Sequence, residues 1–481
     1  MIEALVPTEE TQTLYMRIFH RIAKMIEQGA LRPGDRVPSV RRLSRQESVS
    51  ISTVLQAYTQ LEAQGLIEAR PQSGFYVKPR LWQPPAEPGM SKPSAKATPV
   101  SAGEMTLNIL KAVRNPELVA LGTAIPSPEL LPLQQLNRMM ASIGRRDQSA
   151  GAAYDVPPGA LQLRVQIARR ALDYGCLLSP DDIVTTTGCQ EALNLCLRAV
   201  AGPGDTIAVE SPTYYGILQI IGALGMKALE IPTHPRDGVS LDALEYALDR
   251  ERIAACLFTP TFNNPLGSSM PDESRKRLVV MLAERGLPLI EDDIYGDIAF
   301  GPERPRAAKS YDTQGLVLLC DSFSKTLAPG YRVGWCAPGR FQKKVEHLKF
   351  TSTIASATLP ALAVAEFLAT GGYEHHLRKV RRVYAEQVRL MTASIALHFP
   401  EGTKVTRPQG GHVLWVEMPP KVDSLDLFHQ ALAAKVSIAP GPLFSAKGKY
   451  RNCVRLNCGT PWGEPLEAAL KTLGALARQQ L

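Results

Sequence analysis

Ser322-Phe323-Ser324-Lys325 is followed by Leu327-Ala328-Pro329-Gly330-Tyr331-Arg332-Val333-Gly334-Trp335. The apolar run Leu316 to Cys320 before it has the length and composition of a buried strand. The lysine therefore leaves a strand end, and an arginine stands seven residues beyond it. A lysine amine forms a Schiff base with an aldehyde, and an arginine can hold a phosphate through two parallel N–H bonds. The pair predicts a lysine-anchored aldehyde cofactor that carries a phosphate.

Five other positions complete the same kind of site. Thr187-Gly188-Cys189-Gln190-Glu191 joins a strand to a helix, so backbone N–H groups point at whatever occupies that helix start, preferably a phosphate. Asn263-Asn264-Pro265-Leu266-Gly267 projects an amide from a tight turn. Glu291-Asp292-Asp293-Ile294-Tyr295 offers a carboxylate and a phenol three residues apart. Pro212-Thr213-Tyr214-Tyr215-Gly216 supplies an aromatic ring, and Val454-Arg455-Leu456-Asn457 an arginine. Singly, each is routine, since glycine turns start many helices and tyrosines fill many cores. Jointly, at successive strand exits, they form a site where open α/β sheets bind ligands.

The elements that must position these residues alternate. Ile183-Val184-Thr185, Ile207-Ala208-Val209, Cys256-Leu257-Phe258, Leu289-Ile290 and Val317-Leu318-Leu319 read as short buried strands between amphipathic helices. That rhythm predicts an α/β fold with a largely parallel sheet. After about Arg340, long helices precede strands at Gly411 to Met418 and around Arg455, which predicts a smaller α+β lobe.

The first 78 residues differ. Leu14, Ile18, Ile22, Met25 and Ile26 have helical spacing and end before Gly29. A turn at Leu31-Arg32-Pro33-Gly34-Asp35 leads to a second helix capped by Ser39, and Ser50-Ile51-Ser52-Thr53-Val54 opens a third that runs to Gly65. Leu66 to Arg70 and Phe75 to Val77 alternate as two strands joined by Pro71-Gln72-Ser73-Gly74. Helix, helix, helix, hairpin is a winged helix-turn-helix. Ser50, Ser52 and Thr53 would begin the recognition helix, Arg41 and Arg42 would lie beside the DNA backbone, and Ser73 and Gly74 would form the tip of the wing. The hydroxyl residues could equally be no more than a helix cap; the complete arrangement favours DNA binding. Pro84-Pro85, Pro88, Pro93 and Pro99 mark a semi-extended linker.

Composition agrees with a multidomain globular chain: 481 residues exceed one ordinary core. The absence of a run of about eighteen apolar residues, and of a basic start, predicts a cytoplasmic protein without a membrane segment. Eight scattered cysteines without a CxxC pair read as buried free thiols and not as metal ligands. The net charge of +8 permits nucleic-acid binding without requiring it.

Across about residues 107–481 these motifs resemble the fold-type I, aspartate-aminotransferase-like enzymes that use pyridoxal 5′-phosphate. With a GntR-type winged helix in front, the whole chain is similar to the MocR group of transcriptional regulators. The resemblance implies a winged helix over 1–78, a linker over 79–106 and a cofactor domain over 107–481, with a large lobe at about 140–340 and a small one at about 341–481. It implies that Lys325 forms the internal aldimine, Asp292 pairs with the pyridinium nitrogen, Tyr295 and Asn264 bond the phenolic oxygen, and Tyr214 stacks on the ring. Gly188, Cys189, Gln190, Ser322 and Arg332 would cradle the phosphate, joined by Tyr154 from the partner subunit of a homodimer. Arg455 would bind the carboxylate of an amino acid or 2-oxo acid. The chain departs from the pattern in carrying Cys189 where serine is frequent, Ile51 where the recognition helix often has a basic residue, and Val156 where GABA-type sensors have a second arginine.

Three functions follow from the resemblance. The leading expectation is a regulator of double-stranded DNA that senses pyridoxal phosphate or its aldimine with an amino acid. The alternative is a working aminotransferase with an appended DNA-binding module. The third is a cofactor-binding scaffold that does neither.

Overall fold

The computed structural model describes residues 13–27, 31, 34–63, 66–70, 73–78, 84–100, 115 and 117–481. Gly29, Arg32, Pro33, Gly65, Pro71 and Gln72, expected as stops and turns, lie outside the described residues. So do 79–83 and 101–106 of the expected linker, and 107–114 and 116 beyond it. The chain divides into two units, Met1–Pro84 and Pro85–Leu481. That division falls inside the stretch 79–106.

In the first unit α1 (Leu14–Glu27), α2 (Val40–Glu47) and α3 (Ile51–Ala63) precede an antiparallel hairpin of β1 (Ile67–Arg70) and β2 (Gly74–Val77). Ile18, Ile22, Leu43, Val54, Leu61, Ile67 and Val77 form its core, one apolar face from each element. Local chemistry sets the boundaries. Ser39 Oγ accepts from Arg42 N at the start of α2, and Ser48 closes that helix in the left-handed conformation at φ 54°. Ser50 Oγ accepts from Thr53 N (3.1 Å) to start α3, and the buried Tyr58 hydroxyl donates to Pro38 O (2.6 Å), tying the helices together.

The second unit is built on one mixed sheet. Its strands are β3 (Thr98–Pro99), β5 (Val184–Thr186), β6 (Thr206–Ser211), β7 (Lys227–His234), β9 (Ile253–Phe258), β10 (Leu289–Asp292), β11 (Val317–Ser322) and β12 (Gly334–Ala337). The order is β3-β7-β6-β9-β10-β11-β12-β5; β4 (Val119–Ala120) lies elsewhere, and β8 (Gly238–Val239) pairs with β7. From β7 to β11 neighbouring strands are parallel, and β12 is antiparallel to both of its neighbours. Apolar side chains cover both faces: Leu193, Ile207, Leu257, Ile290 and Leu318 on one, Ala208, Phe258, Leu278, Leu289 and Val317 on the other. Burial on both faces is what a parallel sheet under helices requires.

The helix Gly372–His398 leads to a second sheet, β13 (Lys404–Val405), β14 (Val413–Glu417), β16 (Ala439–Pro440) and β17 (Cys453–Asn457), antiparallel in the order β13-β14-β17-β16. β15 (Val436–Ser437) pairs with β4, so the segment that opens the described cofactor domain is seated on the small lobe. Residues 85–100 run extended against this unit: Val405 N donates to Ala86 O (2.9 Å), and β3 pairs with β7. All eight cysteines are free and buried. Among the described residues no helix is long and apolar enough to cross a membrane.

A buried ion network braces the turn after β10. Arg304 donates to Asp293 Oδ2 (2.5 Å) and Asp297 Oδ1 (2.8 Å), while Arg170 (3.1 Å) and the Tyr373 hydroxyl (2.7 Å) reach Asp297 Oδ2. Burial pushes the Asp297 carboxyl up, but Arg170 and Arg304 hold it well below the ordinary range. Removing the carboxylate leaves two buried guanidinium groups undercompensated. Asp297→Ala is expected to lower unfolding stability by about 3–5 kcal/mol, read from the urea midpoint. A loss below about 1 kcal/mol, the scale of an exposed pair, would show that the network is dispensable.

Candidate functional site

The C-terminal ends of β5, β6, β9, β10 and β11 open on one cavity of about 200 Å³. Cys189, Gln190, Tyr214, Asn264, Asp292, Tyr295, Ser322, Lys325 and Arg332 all line it. Each arrives by a short turn from its strand, so parallel strand direction gathers residues that are far apart in sequence.

Lys325 and Asp292 face this space from adjacent strands. The Lys325 amine donates to Ala124 O (2.5 Å). Burial, reinforced by the charges of Arg455 and Arg332, lowers its pKa to about 8, with Asp292 opposing the shift. Asp292 Oδ1 accepts from the Cys189 thiol (3.4 Å) and Ile294 N (3.3 Å), and burial raises its pKa to about 6. Asn264 Nδ2 donates to the Tyr295 hydroxyl (3.3 Å). Tyr214 lies flat over Gly216, where an added Cβ would come within 2.3 Å of the ring, so only glycine admits this placement.

The helix Cys189–Val200 starts at the cavity edge. Gly188 caps it at φ 83°, and a Cβ there would meet Arg332 Nη2 at 2.3 Å. Glycine therefore leaves the arginine fork and the bare N–H groups of the helix start side by side, a cradle for a dianion. Arg332 is exposed and holds Thr187 O (3.0 Å) and Pro329 O (3.2 Å); Gln190, also exposed, donates to Gly216 O (3.3 Å). Ser322 Oγ accepts from Ser324 N (3.4 Å).

Besides Gly188 at the helix start, two expected residues stand apart from the cavity lining. Arg455 is fully buried on β17, with Nη2 donating to Gly122 O (2.8 Å) and neither Nε nor Nη1 partnered among the described residues. Tyr154 is 76% exposed on the loop before the helix Leu161–Ala171.

Sequence reasoning passed over several neighbours. Thr123, Ala124 and Ile125 form one wall, and nothing in their types announces it. His412 sits behind Tyr295 with ring centroids 5.5 Å apart. Asn457 donates its amide to Ile125 O, so its Oδ1 is the acceptor for His412 Nδ1–H (3.0 Å). Burial, with the Lys325 charge behind it, lowers the His412 pKa to about 3 and keeps the ring neutral. A histidine opening the alternating strand after Gly410-Gly411 was the available signal.

On the first unit, Arg41 and Arg42 project from α2 into solvent, and Arg45, which motif reading omitted, joins them around a shallow basic concavity with Ser39 and Gln46. Among the described residues these three arginines make no ion pair. Ser50 Oγ lies 2.7 Å from both Ser52 Oγ and Thr53 Oγ1, so the cap and the expected DNA-facing hydroxyls are one cluster. The Ser73 hydroxyl is 2.6 Å from that of Tyr76, and Gly74, at φ 103°, lies beside Arg36.

Comparison with known proteins follows these two bodies. Residues 127–472 match the aminotransferase class I and II family, and residues 14–77 match the bacterial regulatory proteins of the gntR family. The chain belongs to the class I and II aminotransferase family, in the MocR-type group that carries a GntR winged helix. It is 42% identical to YjiR of Escherichia coli (strain K12), described as an uncharacterized HTH-type transcriptional regulator, over 96% of this chain and 98% of that one. It is 32% identical to the 2-aminoadipate transaminase of Thermus thermophilus, over 76% and 91% of the two chains. The crystal structure of LysN, the α-aminoadipate aminotransferase of the same organism complexed with N-(5′-phosphopyridoxyl)-L-leucine, superposes with a TM-score of 0.73 at 30% identity, covering 79% of this chain and 96% of that one.

The family's cofactor is pyridoxal 5′-phosphate, and the residues present fit it. Among the described residues Asn264 Oδ1 is a buried acceptor without a partner, no side chain fits between Gly188 and Arg332 at the helix start, and a carboxylate and an amine line the same cavity. Only the neutral lysine amine attacks an aldehyde. With its pKa near 8, cofactor incorporation by the MocR-type protein should accelerate as pH rises and level off above about 8, measured by borohydride trapping and peptide mapping. An unburied lysine would keep accelerating toward its ordinary pKa of about 10.4.

Proposed function

We propose that this protein is a DNA-binding transcriptional regulator whose aminotransferase-like unit binds pyridoxal phosphate at Lys325 and reports the cofactor, or an amino acid presented to it, to a bound operator. The observation that carries this reading is the joint presence, in one chain, of a cavity lined by Lys325, Asp292, Asn264 and Tyr295 and a winged helix with three exposed arginines on its second helix.

Each group has work that follows from its position. When bound, pyridoxal phosphate supplies an electrophilic carbon and an electron-withdrawing ring. Lys325 offers the amine, and Asp292, buried at a strand end, holds a proton on a ring nitrogen better than water would. Tyr295 and Asn264 orient a phenolic oxygen, and Tyr214 stacks above the ring. The start of the helix Cys189–Val200, Gln190, Ser322 and Arg332 hold the phosphate, with Tyr154 added from the partner of a homodimer. Arg455, a buried guanidinium whose Nε and Nη1 have no partner among the described residues, would bind a carboxylate, which would make the effector an amino acid or 2-oxo acid.

On the DNA side, Arg41, Arg42 and Arg45 neutralise phosphates, and the start of α3 enters the major groove. A homodimer presents two winged helices to two half-sites. Turnover as an aminotransferase remains a second reading for one specific reason: an amine with a pKa near 8 beside an ionisable Asp292 is also what proton transfer at neutral pH requires.

The deciding experiment is fluorescence anisotropy of the protein on DNA flanking its own gene, with and without pyridoxal phosphate, at fixed salt. Specific binding that shifts with cofactor is the expected result; sustained transamination without specific DNA binding would replace the regulator by the enzyme. Arg41→Ala should weaken binding to all sequences and lower the salt slope by about one, leaving cofactor absorbance unchanged. Lys325→Ala should lose the borohydride-reducible cofactor label while keeping its circular dichroism. A label retained on another lysine would move the site.

A further inference from the structure

Residues 85–100 occupy a groove on the aminotransferase-like unit. Pro85 O accepts from Arg407 Nη2 (3.0 Å), Ala86 O from Val405 N (2.9 Å), and Lys92 O from Lys449 Nζ (3.1 Å). Glu87 pairs with Arg236, Pro88 is buried, and β3 adds to the edge of β7. Val100 O packs so closely on Gly222 that a Cβ there would stand 2.7 Å from it.

Ser91 is the centre of this seat. Its N–H donates to Thr233 O (3.1 Å) and its hydroxyl accepts from Thr233 N (2.8 Å), while Thr233 Oγ1 accepts from Ser211 N (3.0 Å). Tyr450 Oη lies 2.6 Å from Ser211 Oγ, which donates to Glu230 Oε1 (3.0 Å). Ser211 spends its one proton on Glu230, so Tyr450 donates to Ser211. Ser211 and Thr233 are 0% and 1% exposed, so a broken link strands a buried polar group with no water to replace it. The seat is therefore made as a whole or lost as a whole.

Its far end is the cofactor cavity. Ser211 closes β6, and Tyr214, three residues on, lines the cavity. Thr213 N donates to Phe444 O (3.0 Å), and the Phe444 ring meets Tyr215 (5.6 Å), Trp415 (5.3 Å) and the Arg455 guanidinium (5.7 Å). Trp415 in turn meets Tyr450 (5.8 Å). Tyr214, through Tyr215, and Arg455 thus both bear on the aromatic cluster whose Tyr450 meets Ser211, the partner of Thr233 in the Ser91 seat.

We infer that the segment 85–100 is a docked strap whose seating at Ser91 is set by occupancy of the cavity, and that it carries the signal toward the DNA-binding unit. The inference rests on the regulatory reading above and adds the part of the molecule that transmits the response. A ligand that shifts Tyr214 or Arg455 changes the Thr213–Phe444 and Tyr450–Ser211 contacts, and with them the balance between a seated and an unseated strap.

Hydrogen–deuterium exchange on the full-length protein, with and without saturating pyridoxal phosphate, tests this alongside DNA anisotropy on the same samples. Amides within 86–98 should change protection by about fivefold or more on cofactor binding, the lower end of ordinary coupling. Tyr450→Phe and Ser91→Ala each remove one link without opening a large cavity. By linkage both should shift cofactor affinity by no more than about that coupling factor, speed exchange of the strap and abolish the cofactor-dependent shift in DNA affinity. Equal strap protection with and without cofactor overturns the inference, as do variants that keep the wild-type DNA response. A strap that responds to cofactor while wild-type DNA affinity ignores it would instead overturn the regulatory reading and leave the link between strap and cavity standing.

Discussion

Asp292 and Lys325 are opposite charges held out of water at the ends of two adjacent parallel strands, and the surrounding structure answers to that arrangement. Burial moves each toward neutrality, the carboxyl up to about 6 and the amine down to about 8. A carboxylate in such a place needs hydrogen bonds to stay put, which Cys189 and Ile294 supply. The turn that carries Tyr295 needs anchoring too, and Arg304 and Arg170 pin it from below through Asp293 and Asp297. The sheet provides the remaining condition. Parallel pairing of β10 with β11, Asp292 opposite Cys320, sends both chain ends out on the same edge.

The parts legible in sequence are those governed by local rules. Strand exits carrying a lysine, a carboxylate, an amide and an aromatic ring could be found because each is a short apolar run followed by a polar turn, and these residues do meet in one cavity. Two interior strands of the main sheet escaped for equally physical reasons. β7 contains Glu230 and Pro232, which argue against a central strand; Ser211 and Ser445 satisfy the glutamate from outside the strand. β12 is four residues long and begins with glycine. The network around Asp297 bonds it to Arg170, 127 positions away, and no periodicity records that. The proline-rich stretch shows the same limit: composition predicts extended backbone, while its seat is made by Thr233, Arg407 and Lys449, chosen far downstream.

On the winged helix, affinity and specificity fall to different groups. Three arginines along one face of α2 offer charge without direction, and charge toward phosphates is read equally from any sequence. The hydroxyls at the start of α3 are directional but already engaged with one another and with Thr53 N. With Ile51 exposed among them, this end of the helix offers an apolar contact and shared hydroxyls in place of a charged fork. Base readout by such a surface depends on fit more than on any single bond.

A regulator needs something different from its ligand than an enzyme does. Tight binding alone shifts no equilibrium; only a difference in affinity between two states does so. On the proposed reading Arg455 provides such a difference. Among the described residues its Nε and Nη1 have no partner, in a fully buried setting where an unmet donor costs about 1–3 kcal/mol. A carboxylate that satisfies them in one arrangement of the aromatic cluster, and not in another, separates the two by a similar amount, which is the size of ordinary allosteric coupling. On that reading the burial that lowers the Lys325 pKa is the same property that would let a small anion be felt beyond the cavity.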